Sequence, residues 1–206
     1  AMMHKAIAVM QFKIEAQIID RHPEFDMADR KLLHYIDQKK GKFVFNGTEY
    51  DMYDSHFPTI DPEHPYELTP TEQDILNKLC HSFKASDKLK KHIKCLFQRG
   101  GMYTVCNGNL LFHASIPLTK DGQLKEVCVN GKMLKGKALM DGVDYQVRTA
   151  FNAEARSETR LYAKDFLWYL WCGKDSPLYD KDKMTTFENY FLKDKSLTKE
   201  EKGFYY

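Results

Sequence analysis

Histidines set close to carboxylates are the residues in this sequence whose types and spacing suit chemistry. Asp20-Arg21-His22 and Asp54-Ser55-His56 repeat an Asp-x-His tripeptide, in which a carboxylate and an imidazole can share a divalent metal. Such a tripeptide is common by chance, and Asp20-Arg21-His22 sits at a helix end ahead of Pro23, where Asp and His serve equally well as polar terminus residues. His4, His34, His64, His81 and His92 fall at positions expected to be solvated. His113 differs from all of these: it ends the apolar run Leu110-Leu111-Phe112 and precedes the small pair Ala114-Ser115 and then Ile116-Pro117. An imidazole leaving a sheet at a strand end stands where open α/β sheets build their sites. Two roles fit it, a ligand or catalytic group and a polar cap on a backbone carbonyl.

Beyond the histidines the familiar motifs are missing, with no P-loop, no GxGxxG, no GxSxG and no HExxH in the sequence. Cys80, Cys95, Cys106, Cys128 and Cys172 are odd in number and never form a CxxC pair, which argues against a disulfide framework or a zinc knuckle. A reducing cytoplasm is the expected compartment. Thirty-one Lys and Arg against 29 Asp and Glu leave a net charge of +2, too near balance for a protein that neutralises a nucleic-acid backbone. The longest apolar run, Phe166 to Cys172, is far short of a bilayer crossing of about 20 residues. Neither a nucleic acid nor a membrane is therefore an expected partner. Of the 206 residues 43% are hydrophobic, with 13 Phe and 12 Tyr, enough to build a sizeable core.

The elements that must position His113 follow from periodicity and punctuation. Met3, Ile7, Met10, Ile14 and Ile18 lie on one face of a first helix, which lacks a capping residue; this is the expectation for a chain cut from something longer. A second helix is expected from about Asp26, with Leu32, Leu33 and Ile36 inward and Lys39-Lys40-Gly41 as its last turn and stop. Asn46-Gly47 suits a type I′ hairpin turn, and so do the Asn-Gly pairs at 107–108 and 130–131. Pro58, Pro62 and Pro65 mark an extended loop. Thr69-Pro70-Thr71-Glu72 is a capping box opening a helix expected to bury Ile75, Leu76, Leu79 and Phe83. A further helix carries Leu89, Ile93, Leu96 and Phe97 up to Gly100-Gly101. Helices are also expected from Asp144 to about Asn152, over Glu158 to Trp171 with Ala163, Leu167, Leu170 and Trp171 on one side, and at a second capping box over Thr185 to Glu188. The expected fold is α/β, α+β within this chain: residues 1–100 mainly helical, residues 101–206 sheet and helix.

A family resemblance rests on several blocks in order. Gly101-Met102-Tyr103, Asn107 to His113, Ile116-Pro117-Leu118 and Asp121-Gly122 resemble the class III fructose-1,6-bisphosphatases of bacteria, members of the calcineurin-like metallophosphatases. The resemblance extends to Phe57 to Pro62 with Pro65-Tyr66, to Leu167 to Trp171, to Ser176-Pro177-Leu178, to Lys183 to Glu188, and to Lys202 with Tyr205-Tyr206. It implies that residues 1–100 are a region inserted between metal motifs and that residues 101–206 hold part of a metallophosphatase-type sheet with flanking helices. In that superfamily two divalent metals are held by Asp-x-His, Gly-Asp-x-x-Asp, Gly-Asn-His, a single strand-end His and a later Gly-His segment. The fourth of these corresponds to His113, and the others are expected upstream of Ala1 and downstream of Tyr206. Ala114 and Asp180 stand where the family usually has glycine.

For the intact enzyme the resemblance implies two Mn²⁺-type ions and hydrolysis of the 1-phosphate of fructose 1,6-bisphosphate to fructose 6-phosphate and phosphate, a step of gluconeogenesis. Lys174, Lys181 and Lys183 are candidates to meet the sugar phosphate; a solvated basic loop is the other reading of the same residues. A homo-oligomer is left open. The alternative from a different class is a helical cap without chemistry of its own, mediating oligomer or effector contacts. Exposure of Trp168, Tyr169 and Trp171 would favour such a partner surface, and packing beneath the strand that ends at His113 would make them core.

Overall fold

The computed structural model describes residues 2–152, 154, 157–179, 181–199 and 204–205. Ala1, Asp180, Lys202 and Tyr206 lie outside them. In chain order the elements are α1 (Met2–Arg21), β1 (Ile36–Asp37), β2 (Lys42–Phe45), β3 (Thr48–Asp51), α2 (Pro70–Ala85), α3 (Asp87–Arg99), β4 (Tyr103–Cys106) and β5 (Asn109–Phe112). There follow β6 (Pro117–Leu118), β7 (Val127–Val129), β8 (Lys132–Leu134), α4 (Gly136–Asn152), α5 (Glu158–Cys172), α6 (Thr186–Phe191) and β9 (Phe204–Tyr205). The mixture of helix and sheet is α+β, as expected. The chain divides into two compact units, residues 1–83 with 184–200, and residues 84–183 with 201–206.

The first unit is built around aromatic packing. Phe43 on β2 and Phe57, Phe187, Phe191 and Leu192 from distant stretches of the chain are almost fully buried together with Val9 of α1 and Leu33. Each such side chain contributes about 1.5–3 kcal/mol on leaving water. The β1-β2-β3 sheet is antiparallel, with Phe43 opposite both Ile36 and Tyr50. Its tight turn is Asn46-Gly47, both at positive φ, 49° and 77°. Beyond β3 the Tyr53 N–H donates to the Phe191 carbonyl at 2.9 Å and the Lys193 N–H to that of Asp51 at 2.9 Å, which fastens α6 to the sheet edge.

Three expectations for this unit are corrected. Residues 26–41 form no α-helix; three 3₁₀ turns (Pro23–Phe25, Ala28–Arg30, Leu33–Tyr35) lead into β1. The local cause is side-chain competition: Asp37 Oδ1 accepts the N–H groups of Lys39 and Lys40, each at 3.0 Å, making a turn that Gly41 completes at φ 67°. The buried stripe of α1 is Val9, Met10, Lys13, Ala16, Ile18 and Ile19, whereas Met3 and Ile7 face solvent. That rotation follows from Lys13, which is wholly buried and donates to Glu72 Oε2 at 2.8 Å and to the Thr59 carbonyl at 2.5 Å. The second capping box does not form, because Thr185 Oγ1 takes the Asn189 amide instead and Glu188 turns inward to Arg30, whose Nη2 reaches both carboxylate oxygens at 3.0 and 3.1 Å. The first capping box does form: Thr69 Oγ1 accepts the Glu72 N–H and the Thr69 N–H donates to Glu72 Oε2.

In the second unit α4 and α5 pack against each other and the strands pair as antiparallel hairpins, β4-β5 and β7-β8, with β6 pairing to β9. Both hairpins close on Asn-Gly with positive φ, as the pairs at 107–108 and 130–131 required. α3 opens on Ser86, whose Oγ accepts the Leu89 N–H at 3.3 Å, and α5 opens on Ser157 in the same way through Arg160. α4 begins at Gly136, earlier than the Asp144 expected. Gly142 lowers the helical signal there; a Cβ at that position would lie 2.5 Å from Leu134 Cδ1, so a larger residue would require the Leu134 side chain to shift. The apolar faces expected to be buried on α2 and α3 are open in large part: Ile75, Leu79, Phe83 and Leu96 are exposed, while Leu76, Leu89, Ile93 and Phe97 are half-buried.

Candidate functional site

β5 carries His113 just past its last residue, Phe112, and the imidazole is exposed. The chain then turns sharply, because Ala114 adopts φ 66°, the left-handed region that glycine favours. Ser115 drops into the interior, its N–H donating to the Pro177 carbonyl at 3.2 Å. Pro177 belongs to Ser176-Pro177-Leu178, where Ser176 Oγ donates to the Leu170 carbonyl at 2.6 Å and accepts the Leu178 N–H at 3.2 Å. The strand-end turn, the Ser-Pro-Leu turn and the end of α5 are thus one hydrogen-bonded assembly. Ser115 Oγ is buried in it without a hydrogen-bond partner.

His113 stands on a cavity of about 510 Å³. Leu167, Leu170 and Trp171 of α5 and Val147 of α4 form one side; Leu96 and Phe97 at the end of α3, Met102 and Leu178 form the other. Its charged members are Asp144 and Arg148, one helical turn apart. Arg148 Nε donates to Asp144 Oδ2 at 2.6 Å, while Nη1 and Nη2 donate to the carbonyls of Phe97 at 2.6 Å and Gly100 at 3.0 Å. The guanidinium therefore caps the last turn of α3, where helix carbonyls lack partners of their own. Asp144, hydrogen-bonded to it, raises the pKa of Arg148 further and keeps it charged. The sequence reading missed this pair, although its i,i+4 spacing was the available signal.

The other candidates fall elsewhere. Lys174 is exposed, and its carbonyl accepts the Tyr169 hydroxyl. Lys181 is exposed and Lys183 half-buried, its carbonyl accepting the Tyr179 hydroxyl at 3.1 Å. None of the three lines the cavity of His113. In the first unit Asp20 pairs with Lys31 at 2.6 Å, and His22 meets Glu24 at 3.0 Å and stacks on Phe25. Asp54 takes Lys5 at 2.6 Å and the His56 N–H at 2.9 Å, which holds its carboxyl below the usual carboxylate range, the Lys5 hydrogen bond contributing most. Both Asp-x-His tripeptides thus have local structural partners.

A metal pair needs several donors around one point, and among the described residues no group of three or more His, Cys, Asp or Glu converges in that way. At the cavity the one carboxylate, Asp144, is committed to Arg148. His113 is a single available imidazole, so these residues do not by themselves fit a two-metal centre. The aromatic run divides: Tyr169 is buried, Trp168 is half-buried, and Trp171, expected on the inner side of α5, is 57% exposed at the cavity.

Strand-end histidine, left-handed residue and buried Ser-Pro turn form one corner of an α+β chain. Comparison with known proteins gives the family: a sequence model described as Firmicute fructose-1,6-bisphosphatase matches residues 1–206, and the chain belongs to that family. Relatives named fructose-1,6-bisphosphatase class 3 are similar to it, at 61% identity in Phocaeicola vulgatus, 56% in Bacteroides fragilis and 50% in Clostridium botulinum. Each match covers 99% of this chain but only 31%, 31% and 30% of the respective relative, so the chain spans under a third of their length. No solved structure matches it.

Proposed function

We propose that this chain is part of a class 3 fructose-1,6-bisphosphatase, and that the intact enzyme hydrolyses the 1-phosphate of fructose 1,6-bisphosphate to fructose 6-phosphate and phosphate. The match of the family model over residues 1–206 carries this reading. Such chemistry at neutral pH draws on a pair of divalent ions of the Mn²⁺ kind, for which a neutral imidazole is a suitable donor. His113 is that donor in this chain, and the remaining donors come from the part of the enzyme beyond it. The chain's own contribution is rigid placement. The left-handed Ala114 turns the backbone away behind the imidazole, and the Ser115 N–H to Pro177 bond fixes that turn against the end of α5. Lys174, Lys181 and Lys183, flanking the Ser176-Pro177-Leu178 turn, supply positive charge for the sugar phosphate. The reading implies a cytoplasmic step of gluconeogenesis; no helix among the described residues is long and apolar enough to cross a membrane.

Two measurements test the reading. The 206-residue chain alone, assayed with Mn²⁺, shows no fructose bisphosphatase turnover above a His113→Ala control, because one imidazole cannot hold two ions. In the intact enzyme His113→Ala lowers metal content and turnover together by roughly 100-fold or more, while the melting temperature of the metal-free protein stays near that of the parent, since the side chain is exposed. Normal turnover with full metal content would return His113 to a capping role.

A further inference from the structure

The near balance of charge over the whole chain conceals a local segregation. Residues 84–99 hold six of the 31 Lys and Arg (Lys84, Lys88, Lys90, Lys91, Lys94 and Arg99) and one of the 29 acids, Asp87, so that outside this stretch acids outnumber bases. Apart from Lys84 these residues lie on α3, a helix with no buried residue. Asp87 pairs with Lys90 at 3.2 Å, whereas Lys84, Lys88, Lys91, Lys94 and Arg99 are exposed and meet no carboxylate among the described residues. We propose that α3 is a basic amphipathic helix that lays the enzyme on an anionic lipid bilayer, its lysines at the headgroups and its apolar side at the acyl boundary.

Spacing, charge and support all point to that partner. Leu89, Ile93 and Leu96 recur at steps of four and three and share one side of the helix, with Lys90 on one flank and Lys88 and Arg99 on the other. Leu89 and Ile93 are half-buried and Leu96 is 69% exposed. A helix of this pattern lies in the plane of an interface, its lysine stems along the apolar boundary and its ammonium groups among the headgroups. The 13-residue helix is too short to cross a bilayer and need only lie on one. The basic side is also one that a protein wall does not readily cover: unpaired ammonium groups are almost never buried, so a covering segment would have to bring a carboxylate for each. An anionic leaflet meets them all with a mobile layer of phosphates. The helix is held at its last turn, where Arg148 takes the Phe97 and Gly100 carbonyls and Phe97 stacks on Phe151 at 4.4 Å, which leaves its basic side in water. A nucleic acid would match the charge but offer no apolar layer to Leu96.

The test is co-sedimentation of the intact enzyme with vesicles, either phosphatidylglycerol mixed with phosphatidylcholine or phosphatidylcholine alone. At about 0.1 M salt the enzyme is expected to pellet with the mixed vesicles only, and about 1 M salt is expected to release it. Lys88→Gln combined with Lys91→Gln and Lys94→Gln keeps helix propensity and is expected to weaken partition on the order of 100-fold. Lys120→Gln combined with Lys132→Gln and Lys164→Gln removes as many exposed charges outside α3 and is expected to leave partition nearly unchanged. Failure to pellet with the mixed vesicles, or equal losses in the two triple variants, overturns the proposal. So does retention on single-stranded DNA without vesicle binding, which would make the partner a nucleic acid. Should the α3 variant misfold, lysine acetylation of the parent decides: Lys88, Lys91 and Lys94 are expected to react several-fold more slowly on the mixed vesicles than in free solution, and unchanged rates overturn the proposal. Turnover of fructose 1,6-bisphosphate in free solution is expected to be the same in the parent and both variants. Pelleting is read without turnover, so absent hydrolysis bears on the functional reading alone and absent pelleting on this one alone.

Discussion

Ala114 holds φ at 66° although it has a Cβ, in a region that costs a non-glycine residue about 1–2 kcal/mol. The family resemblance placed glycine here, and the backbone explains why: the chain must reverse directly after His113 so that Ser115 can reach Pro177. Ala114→Gly relieves the strain and gives back part of it through the greater freedom of the unfolded chain, so we expect a net gain of about 0.5–1 kcal/mol. That corresponds to a rise of about 1–4 °C in melting temperature by calorimetry. A lower melting temperature would mean that the methyl group contributes packing which outweighs the strain. At this scale the strand-end position of His113 was legible in the sequence, because it is a local feature set by the Asn107-Gly108 turn and the apolar run that follows. The burial of Ser115 Oγ without a partner and the exposure of Trp171 were not, since both depend on what lies across the fold rather than on spacing.

Between α1 and α2 the decisive contact is the buried pair Lys13 and Glu72. Burial pushes the Glu72 carboxyl up, but the hydrogen bond from Lys13, those at Thr69 and Thr59 and the Lys13 charge outweigh it, leaving its pKa below the ordinary 4.5. A depressed carboxylate contributes stability at pH above about 4.5 and loses that contribution as pH falls through the lower folded value. Lys13→Met strands a buried carboxylate and is expected to cost about 3–5 kcal/mol in denaturant melts near neutral pH, while Lys13→Met with Glu72→Leu recovers most of it. Single losses that simply add in the double variant would show the two are not coupled. Arg148→Met is milder: it removes the cap from the Phe97 and Gly100 carbonyls and frees Asp144, at a cost of about 1–2 kcal/mol. Faster amide exchange confined to the end of α3 is the expected sign; uniform exchange along α3 would contradict it. Elements were legible where capping or turn chemistry is local, as at Thr69 to Glu72 and the three Asn-Gly pairs. Residues 26–41 misled because Leu32, Leu33 and Ile36 keep helical spacing while Asp37 captures the backbone. The true inward face of α1 was hidden because its partner, Glu72, lies 59 residues away.

Across the whole molecule the first unit is discontinuous, joining residues 1–83 to 184–200, whereas most of the second is the unbroken stretch 84–183. No periodicity announces such an arrangement; it arises because Phe187, Phe191 and Leu192 complete a core begun by Val9 and Phe43. The consequence appears during synthesis, when residues 1–83 leave the ribosome before 84–183. The amino-terminal unit emerges first yet stays unfinished, its Phe43 and Phe57 lacking their last neighbours, until α6 is made some hundred residues later. The stretch 84–183, closed largely by local hairpins and the α4-α5 pair, can acquire structure ahead of it. Folding order therefore runs against chain order, and the interval in which the aromatic core is open to solvent, aggregation or chaperone capture is set by the time needed to translate the intervening unit.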